Sequence, residues 1–251
     1  MGAAGTDNLD AGVFLVDKPA GISSFAVVGR MRKILHIKKV GHAGTLDPFA
    51  TGLLVVCAGR PATRLISLIM QGDKEYLADL RLGVTTTTQD PEGDIVERRE
   101  VGSIDSSAIL QCLAAFRGPQ MQVPPAYSAL KHKGKPLYYY ARKGITIEKE
   151  PRPIEIKELE PVDGDIDIVG PDALLRLRVV CSKGTYIRTL AADIGERLGC
   201  GAHLEALRRT KSGCFQIDGR SLDWQDLNAE DARQRCWHRM IPVGRVAKLL
   251  Q

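Results

Sequence analysis

The sequence predicts an α+β fold: a mixed, largely antiparallel sheet flanked by helices. Residues 74–83 (KEYLADLRLG) alternate between apolar and polar side chains, which is the period of a half-buried strand. Residues 23–36 instead repeat apolar side chains at helical spacing, behind a serine that can cap the helix. Along the chain, runs of strands are interrupted by single helices rather than alternating strictly with them, and this order favours an α+β domain.

The other elements follow from the same periodicities in chain order. Pro61 suits the first turn of a helix, and Gly199 is a residue type that commonly ends one. The polar segment 85–94 is expected to be a loop. Strands are predicted at 13–16, 53–59, 145–148, 152–159, 173–180 and 207–217, and helices at 61–70, 105–116, 135–144 and 185–199.

Composition narrows the class of protein. A chain of 251 residues with 44% hydrophobic side chains can bury a substantial core. No apolar run approaches the roughly 20 residues that span a bilayer, and the first residues lack the pattern of a secretory signal. The six cysteines show no paired spacing, so neither a metal site nor a disulfide framework is predicted. We expect a cytoplasmic protein without a membrane partner.

Charge is unevenly distributed along the chain. The net charge is +5, but residues 131–152 hold seven Lys/Arg against two Glu, and residues 176–211 hold eight Lys/Arg against three acids. Segments 90–105 and 155–172 are acidic. Clustering of this kind fits either an anionic partner on one side of the molecule or simple solubilisation, and charge alone does not decide between them.

The segment VGHAGTLDPFATGLLVV, residues 40–56, is the most informative in the chain. Three glycines and Pro48 shape a tight loop that leads into an apolar strand. The loop lacks the terminal Gly-Lys-Ser/Thr of a phosphate-binding P-loop. Asp47, held in such a loop, fits a catalytic carboxylate tuned by its surroundings, whereas most isolated Asp-Pro pairs only begin a turn. Spacing alone favours the turn.

This segment closely resembles the central motif of the TruB family of tRNA pseudouridine synthases. Matching blocks occur in the same order, so the resemblance covers roughly residues 12–245. These blocks are LVDKPAGISS (15–24), DKEYLADLRLG (73–83), PPAYSALKHKGKPLYYYARKG (124–144) and CSKGTYIRTLAADIGERLGCGAHLEALRRT (181–210).

The resemblance implies a set of site residues. It makes Asp47 the catalytic aspartate, and Arg188 a residue that can pair with this carboxylate and keep it ionised. Tyr76 matches an aromatic that stacks on the target uracil, although a core tyrosine would occupy a similar position on the strand. The residues expected to contact substrate are His42, Tyr76, Tyr186, Arg188, Leu207 and Lys18. Candidate phosphate contacts are Lys33, Lys38, Lys39, Arg208, Arg209 and Lys211.

The implied activity is isomerisation of uridine 55 in the T loop of tRNA to pseudouridine. No electrons are lost and no phosphate is transferred, so no cofactor is expected. The partner is the tRNA T stem-loop, whose target base is flipped into an apolar pocket, and the protein is expected to be a monomer. Three routes for the first chemical step stay open: attack of the carboxylate on ribose C1′, attack on uracil C6, or abstraction of a ribose proton to give a glycal.

Two alternatives remain at this stage, and one departure from the family. One alternative is a non-catalytic tRNA-binding or folding protein on the same scaffold, and the other is an enzyme with the same chemistry whose target is chosen by a separate guide RNA. Family members usually carry a further RNA-binding PUA domain. The sequence here stops at RVAKLLQ, so we expect a flexible N-terminus (1–11), a catalytic domain (12–245) and no PUA domain.

Overall fold

A computed structural model describes residues 11–128, 130–145, 147–162, 167–168, 170 and 173–251. These residues form two compact units. The first unit combines the chain up to Gly72 with Arg209–Gln251, and the second is Asp73–Arg208. The segment expected to be a flexible N-terminus lies almost wholly outside the described residues.

The first unit is built on the apolar strand pair β1 and β3. They run antiparallel, with Gly12 opposite Ala58 and Lys18 opposite Gly52, and β2 also pairs with β3. Ser23 caps α1 by accepting a hydrogen bond from the Ala26 amide. The elements are β1 (Gly12–Lys18), α1 (Ser24–Leu35), β2 (Val40–His42), β3 (Thr51–Ala58), α2 (Arg60–Thr63) and α3 (Ile66–Ile69).

Both faces of this strand pair are covered, which explains why β1 and β3 are apolar at almost every position. Phe14 and Val56 point to the face packed by α1 and its Met31. Leu15 and Val55 point to the opposite face, with Ile69 of α3. Successive side chains of a strand alternate between faces, so a strand covered on both sides needs continuous hydrophobicity.

The second unit contains an antiparallel strand order β4-β11-β10-β7 and two short hairpins, β5-β6 and β8-β9. Its elements are β4 (Lys74–Leu82), β5 (Val84–Thr86), β6 (Ile95–Arg98), α4 (Ser106–Ala114), β7 (Gly118–Gln122), β8 (Lys131–His132), β9 (Lys135–Pro136), α5 (Leu137–Ala141), β10 (Arg152–Pro161), β11 (Leu174–Cys181), α6 (Ile187–Leu198) and β12 (Ala202–Ser212).

The chain enters the C-terminal part of the first unit within β12, at Arg209. β13 turns back against the end of β12, and β14 pairs with β1. The elements after β12 are β13 (Phe215–Gln216), a 3-10 turn (Asp226–Asn228), α7 (Ala232–Arg239), β14 (Ile241–Pro242) and α8 (Val243–Leu249).

The predicted fold class is confirmed, since the pairings β1–β3, β7–β10, β10–β11 and β4–β11 are antiparallel, and a parallel bridge joins Val16 to Leu222. The loop predicted over 85–94 is largely confirmed, because residues 87–94 lie between β5 and β6 and only Thr85 and Thr86 belong to a strand. Three local predictions are wrong. The helix expected over 61–70 is split into α2 and α3. The strand expected over 207–217 is interrupted after Ser212, where the chain turns and β13 pairs back with the end of β12. The described residues 147 and 148 carry no strand, because a short alternating pattern also needs a partner strand; residue 146 is outside the described residues.

Candidate functional site

The loop between β2 and β3, residues 43–50, depends on glycine for its shape. Gly44 has a φ of 95° and Gly52 a φ of 99°, both in the region that side-chain-bearing residues rarely adopt. A Cβ atom at Gly52 would also lie 2.3 Å from the carbonyl oxygen of Arg209. Backbone sterics therefore require glycine at position 52 on two counts.

Asp47 is half-buried in the middle of this loop. The Ala50 amide donates a hydrogen bond of 3.2 Å to the Asp47 carbonyl, so Asp47 does begin a turn. The preceding residue is clamped by a side chain from α1: Ser24 Oγ donates to Leu46 O and accepts from Leu46 N, each at 2.9 Å. Turn formation and a catalytic role are compatible here, because the turn holds the carboxylate on a fixed backbone.

Lys18 clamps the residue that follows Asp47. Its side chain is 0% exposed, and Nζ donates to the carbonyl oxygens of Pro19 at 2.9 Å, Ile22 at 2.7 Å and Pro48 at 3.1 Å. The Gly21 amide donates to the same Pro48 oxygen at 2.9 Å. Lys18, expected to line the site, thus has a positioning contact with the backbone beside Asp47.

His42, at the end of β2, is half-buried and lies opposite Val56 of β3. Its Nδ1 is buried and has no hydrogen-bond partner among the described residues. Burial, together with the positive charge of Arg209, lowers the pKa of the His42 imidazole from its usual value. His42 is therefore a neutral imidazole at pH 7.

Arg209 is not a phosphate contact, contrary to the expectation from the sequence. It is 1% exposed, and its guanidinium lies against the 43–53 segment of the first unit. Neighbouring residues of a strand point to opposite sides, and Arg208 accordingly remains half-exposed. Lys211, near the end of β12, is exposed. These two side chains remain candidates for phosphate contacts, as do the exposed Lys33, Lys38 and Lys39.

In the second unit, Arg188 lies in the first turn of α6 and is 5% exposed. Its Nη1 donates to Asp90 Oδ2 at 3.1 Å and to Thr88 O at 3.0 Å, and Nη2 donates to Tyr127 O at 2.7 Å. Asp90 is also buried, and accepts hydrogen bonds from the Thr88 hydroxyl and from the Glu92 amide.

Asp90 is a partner of a predicted site residue, and the sequence analysis did not identify it. It lies in a polar segment that reads as a loop, 98 residues away from Arg188 along the chain. The available signal was the Asp-Pro pair at 90–91, the same pair that occurs at 47–48. Only the fold shows that this carboxylate neutralises a buried guanidinium.

Gln122 of β7 holds the residue that precedes α6. Its Oε1 accepts from the Tyr186 amide at 2.8 Å, and its Nε2 donates to the Tyr186 carbonyl at 3.0 Å. This pair of hydrogen bonds fixes the Tyr186 backbone at the start of α6. Gln122 is therefore a second positioning residue without a recognisable sequence signal.

Tyr76 and Leu207 are both buried, each 8% exposed. Tyr76 lies on the inward face of β4, opposite Val179 of β11. This placement suits a core tyrosine and an aromatic at the edge of a pocket equally well, so the predicted stacking role remains a prediction.

The predicted site residues are divided between the two structural units. The first unit contains Lys18, His42 and Asp47, and the second contains Tyr76, Tyr186, Arg188 and Leu207. Among the described residues, no group of three or more His, Cys, Asp or Glu side chains is arranged to hold a metal ion. None of the described helices has the length and hydrophobicity needed to cross a bilayer.

Two family models match the chain in sequence. Residues 32–187 match the N-terminal domain of the TruB family of pseudouridylate synthases, and residues 188–241 match the C-terminal domain of tRNA pseudouridylate synthase B. The second match begins at Arg188, just inside α6. Together they extend over both structural units.

Curated relatives are similar over nearly the whole chain. The tRNA pseudouridine synthase B of Desulfotalea psychrophila is 61% identical over 241 residues, which are 96% of this chain and 97% of the relative. Proteins of the same name from Burkholderia pseudomallei and Cupriavidus metallidurans are 49% and 50% identical. These matches cover 92% and 88% of this chain, and 74% and 69% of the relatives.

Solved structures share the fold. A chain in the crystal structure of a Cbf5-Nop10-Gar1 complex superposes with a TM-score of 0.70 at 30% identity. A chain in an H/ACA RNP bound to a substrate RNA containing 2′-deoxyuridine superposes with a TM-score of 0.65 at 27% identity. Each match covers 95% of the present chain, and 62% and 61% of those longer chains.

Proposed function

The chain belongs to the TruB family of pseudouridylate synthases and is an enzyme that isomerises uridine in tRNA, and from this premise we propose that it acts on position 55 of the T loop with Asp47 as the catalytic carboxylate. The observation that carries the assignment of Asp47 is the double clamp on its neighbours. Ser24 holds Leu46 and Lys18 holds Pro48. A carboxylate on such a backbone is pre-positioned for attack at one atom.

The reaction breaks the N1–C1′ glycosidic bond, turns the uracil and forms a C5–C1′ bond. C5 loses its proton and N1 takes one up, so the product is an isomer of the substrate and the chain's own residues can supply the chemistry. Asp47 serves as nucleophile or base at the start. The target base must leave the folded loop to be reached, at a cost of roughly a few kcal/mol that contacts in the pocket offset.

The substrate-binding roles are assigned to the remaining predicted residues. Tyr76 stacks on the uracil, and Tyr186, Arg188 and Leu207 bind the flipped nucleotide. His42, neutral because it is buried near Arg209, contacts the RNA as a hydrogen-bonding group and not as a cation. The buried but unpartnered Nδ1 of His42 supports this role, because a buried polar atom is costly unless it has a partner. Lys18 acts through the loop backbone.

Tritium release from tRNA labelled at uracil C5 tests the proposal. The unaltered chain should release tritium, and Asp47→Asn should reduce release at least ~1000-fold while tRNA binding stays within a few-fold. The matched control is Asp218→Asn, at an exposed aspartate of the first unit, which should retain full activity. Reverse-transcription mapping of the product should place pseudouridine at position 55.

The outcomes separate the possibilities. Release by Asp47→Asn at the unaltered rate would remove Asp47 from its role. Tight tRNA binding by the unaltered chain without any release would favour a tRNA-binding or folding function. Pseudouridine at another position would leave the chemistry intact and overturn the target.

A further inference from the structure

The Arg209 guanidinium joins the two ends of the segment that carries Asp47. Its Nη2 donates to Gly44 O at 3.0 Å and its Nη1 to Thr45 O at 3.4 Å, at the start of the loop. Its Nε donates to Leu53 O at 2.8 Å, in β3 just after the loop. One planar group therefore spans the loop ends with a fixed geometry.

The backbone of Arg209 meets the same segment. There is no room for a side chain at Gly52. A Cβ atom there would lie 2.3 Å from the Arg209 carbonyl oxygen and 2.8 Å from the Arg209 amide nitrogen. At Gly44 a Cβ would touch Nη1 at 3.5 Å. Backbone and side chain of one residue thus define both the end and the beginning of the loop.

Between these ends, the residues on either side of Asp47 are held independently by Ser24 and Lys18. If the two ends of residues 44–53 move apart, the hydrogen bonds of Ser24 and Lys18 cannot all keep their lengths, and the backbone at Asp47 must shift. A displacement of about 1 Å at a reacting group can reduce a rate roughly 100-fold.

We propose that Arg209 is a positioning residue for the isomerisation, which sets the separation of the ends of residues 44–53 and through them the placement of Asp47. This inference rests on the proposed function of Asp47. Arginine is needed because its three donating nitrogens are spread over a planar fork and reach both ends of the segment. The donors of a lysine ammonium share one nitrogen, so they reach only carbonyl oxygens that converge on one point, as they do at Lys18. A second consequence concerns His42, whose imidazole lies in the field of the same guanidinium.

Arg209→Lys is the primary test, because it keeps the charge and most of the stem. We expect the single-turnover rate of tritium release at saturating enzyme to fall about 10- to 100-fold. The dissociation constant for tRNA should stay close to that of the unaltered chain. The melting temperature should fall, because the buried ammonium keeps only part of the three hydrogen bonds of the guanidinium, so the rate is measured at a temperature at which the variant is folded. Arg245→Lys, at an exposed arginine of α8, is the matched control and should leave rate and binding unchanged.

Arg209→Met is the second variant, which removes the charge as well as the fork and avoids burying an ammonium group that has lost part of its partners. It should show a similar loss of rate. In addition, the His42 imidazole, followed by NMR, should titrate at higher pH than in Arg209→Lys, because a neighbouring positive charge has been removed. If Arg209→Lys does not fold and Arg209→Met does, the rate of the latter decides.

A rate within two-fold of the unaltered chain in either folded variant would overturn the proposal. So would a loss of tRNA binding equal to the loss of rate, which would assign Arg209 to substrate binding. Failure of both variants to fold would make Arg209 a general folding residue and would also overturn it. If the unaltered chain releases no tritium, the proposed function itself fails, and this inference falls with it.

Discussion

Arg209 in the first unit and Arg188 in the second are both almost fully buried, but their positive charges are compensated by different groups. Among the described residues, the Arg209 guanidinium donates hydrogen bonds to the backbone carbonyl oxygens of Gly44, Thr45 and Leu53. Arg188 also donates to two carbonyls, but it pairs in addition with the buried carboxylate of Asp90.

This difference separates two ways of using a buried cation. Carbonyl dipoles offer modest compensation for a charge, yet they belong to the backbone, so the cation dictates backbone shape. A carboxylate offers strong compensation, but it must itself be buried and held, as the Thr88 hydroxyl and the Glu92 amide hold Asp90. The first arrangement shapes a loop, and the second fixes a guanidinium.

The comparison predicts the largest loss of stability at Asp90. Asp90→Asn keeps the side-chain shape but removes the buried negative charge beside Arg188, and breaking a buried pair costs about 3–5 kcal/mol. Urea unfolding measures the loss. The matched control is Asp79→Asn, which breaks the more exposed pair with Arg176 and should cost less than about 1 kcal/mol. Equal losses in both variants would contradict a special role for the buried carboxylate.

A smaller loss is expected at Lys18. Lys18→Met removes a buried ammonium that donates to Pro19, Ile22 and Pro48, and a hydrogen bond to a charged group contributes about 1.5–3 kcal/mol. We expect a net loss near 2 kcal/mol, because Gly21 still donates to Pro48. Lys33→Met, at an exposed lysine of α1, is the control for unfolding. A stability unchanged by Lys18→Met would show that the backbone holds its shape without the cation.

Ser24→Ala should lower the free energy of unfolding by a smaller amount, about 1–2 kcal/mol, because it removes two neutral hydrogen bonds to Leu46. The more telling readout is the single-turnover rate, which should fall since Leu46 precedes Asp47. Ser67→Ala, at an exposed serine of α3, should change neither quantity. A full rate in Ser24→Ala would mean that Arg209 and Lys18 suffice to hold the loop.

The smallest effect is a pH dependence at His42. Because the folded-state pKa of His42 lies below its usual value, the unfolded chain takes up the proton first as pH falls. The stability contributed by neutral His42 is therefore present above the ordinary histidine pKa of about 6.5 and is lost below it. His42→Gln should flatten the stability curve between pH 7.5 and 5.5. An identical slope in both proteins would contradict the lowered pKa.

Local patterns predicted the elements that carry these sites. The strict alternation of 74–82 places Tyr76 on the inward face of β4. As expected, Ser23 caps the start of α1 and Gly199 ends α6. The family resemblance of residues 40–56 identified the loop of Asp47, and the left-handed conformations of Gly44 and Gly52 give its glycines a physical reason. Periodicity and glycine placement are properties of a few consecutive residues, so a sequence contains them directly.

Tertiary structure alone decided which charged side chains are buried and what they contact. Arg208 and Arg209 are the same residue type side by side, and strand alternation requires only that they point opposite ways, not which one is buried. Arg209 reaches Gly44 across 165 residues, and Arg188 reaches Asp90 across 98. A buried charge is tolerated only where partners converge on it, and such convergence depends on how distant segments pack, which no local pattern specifies.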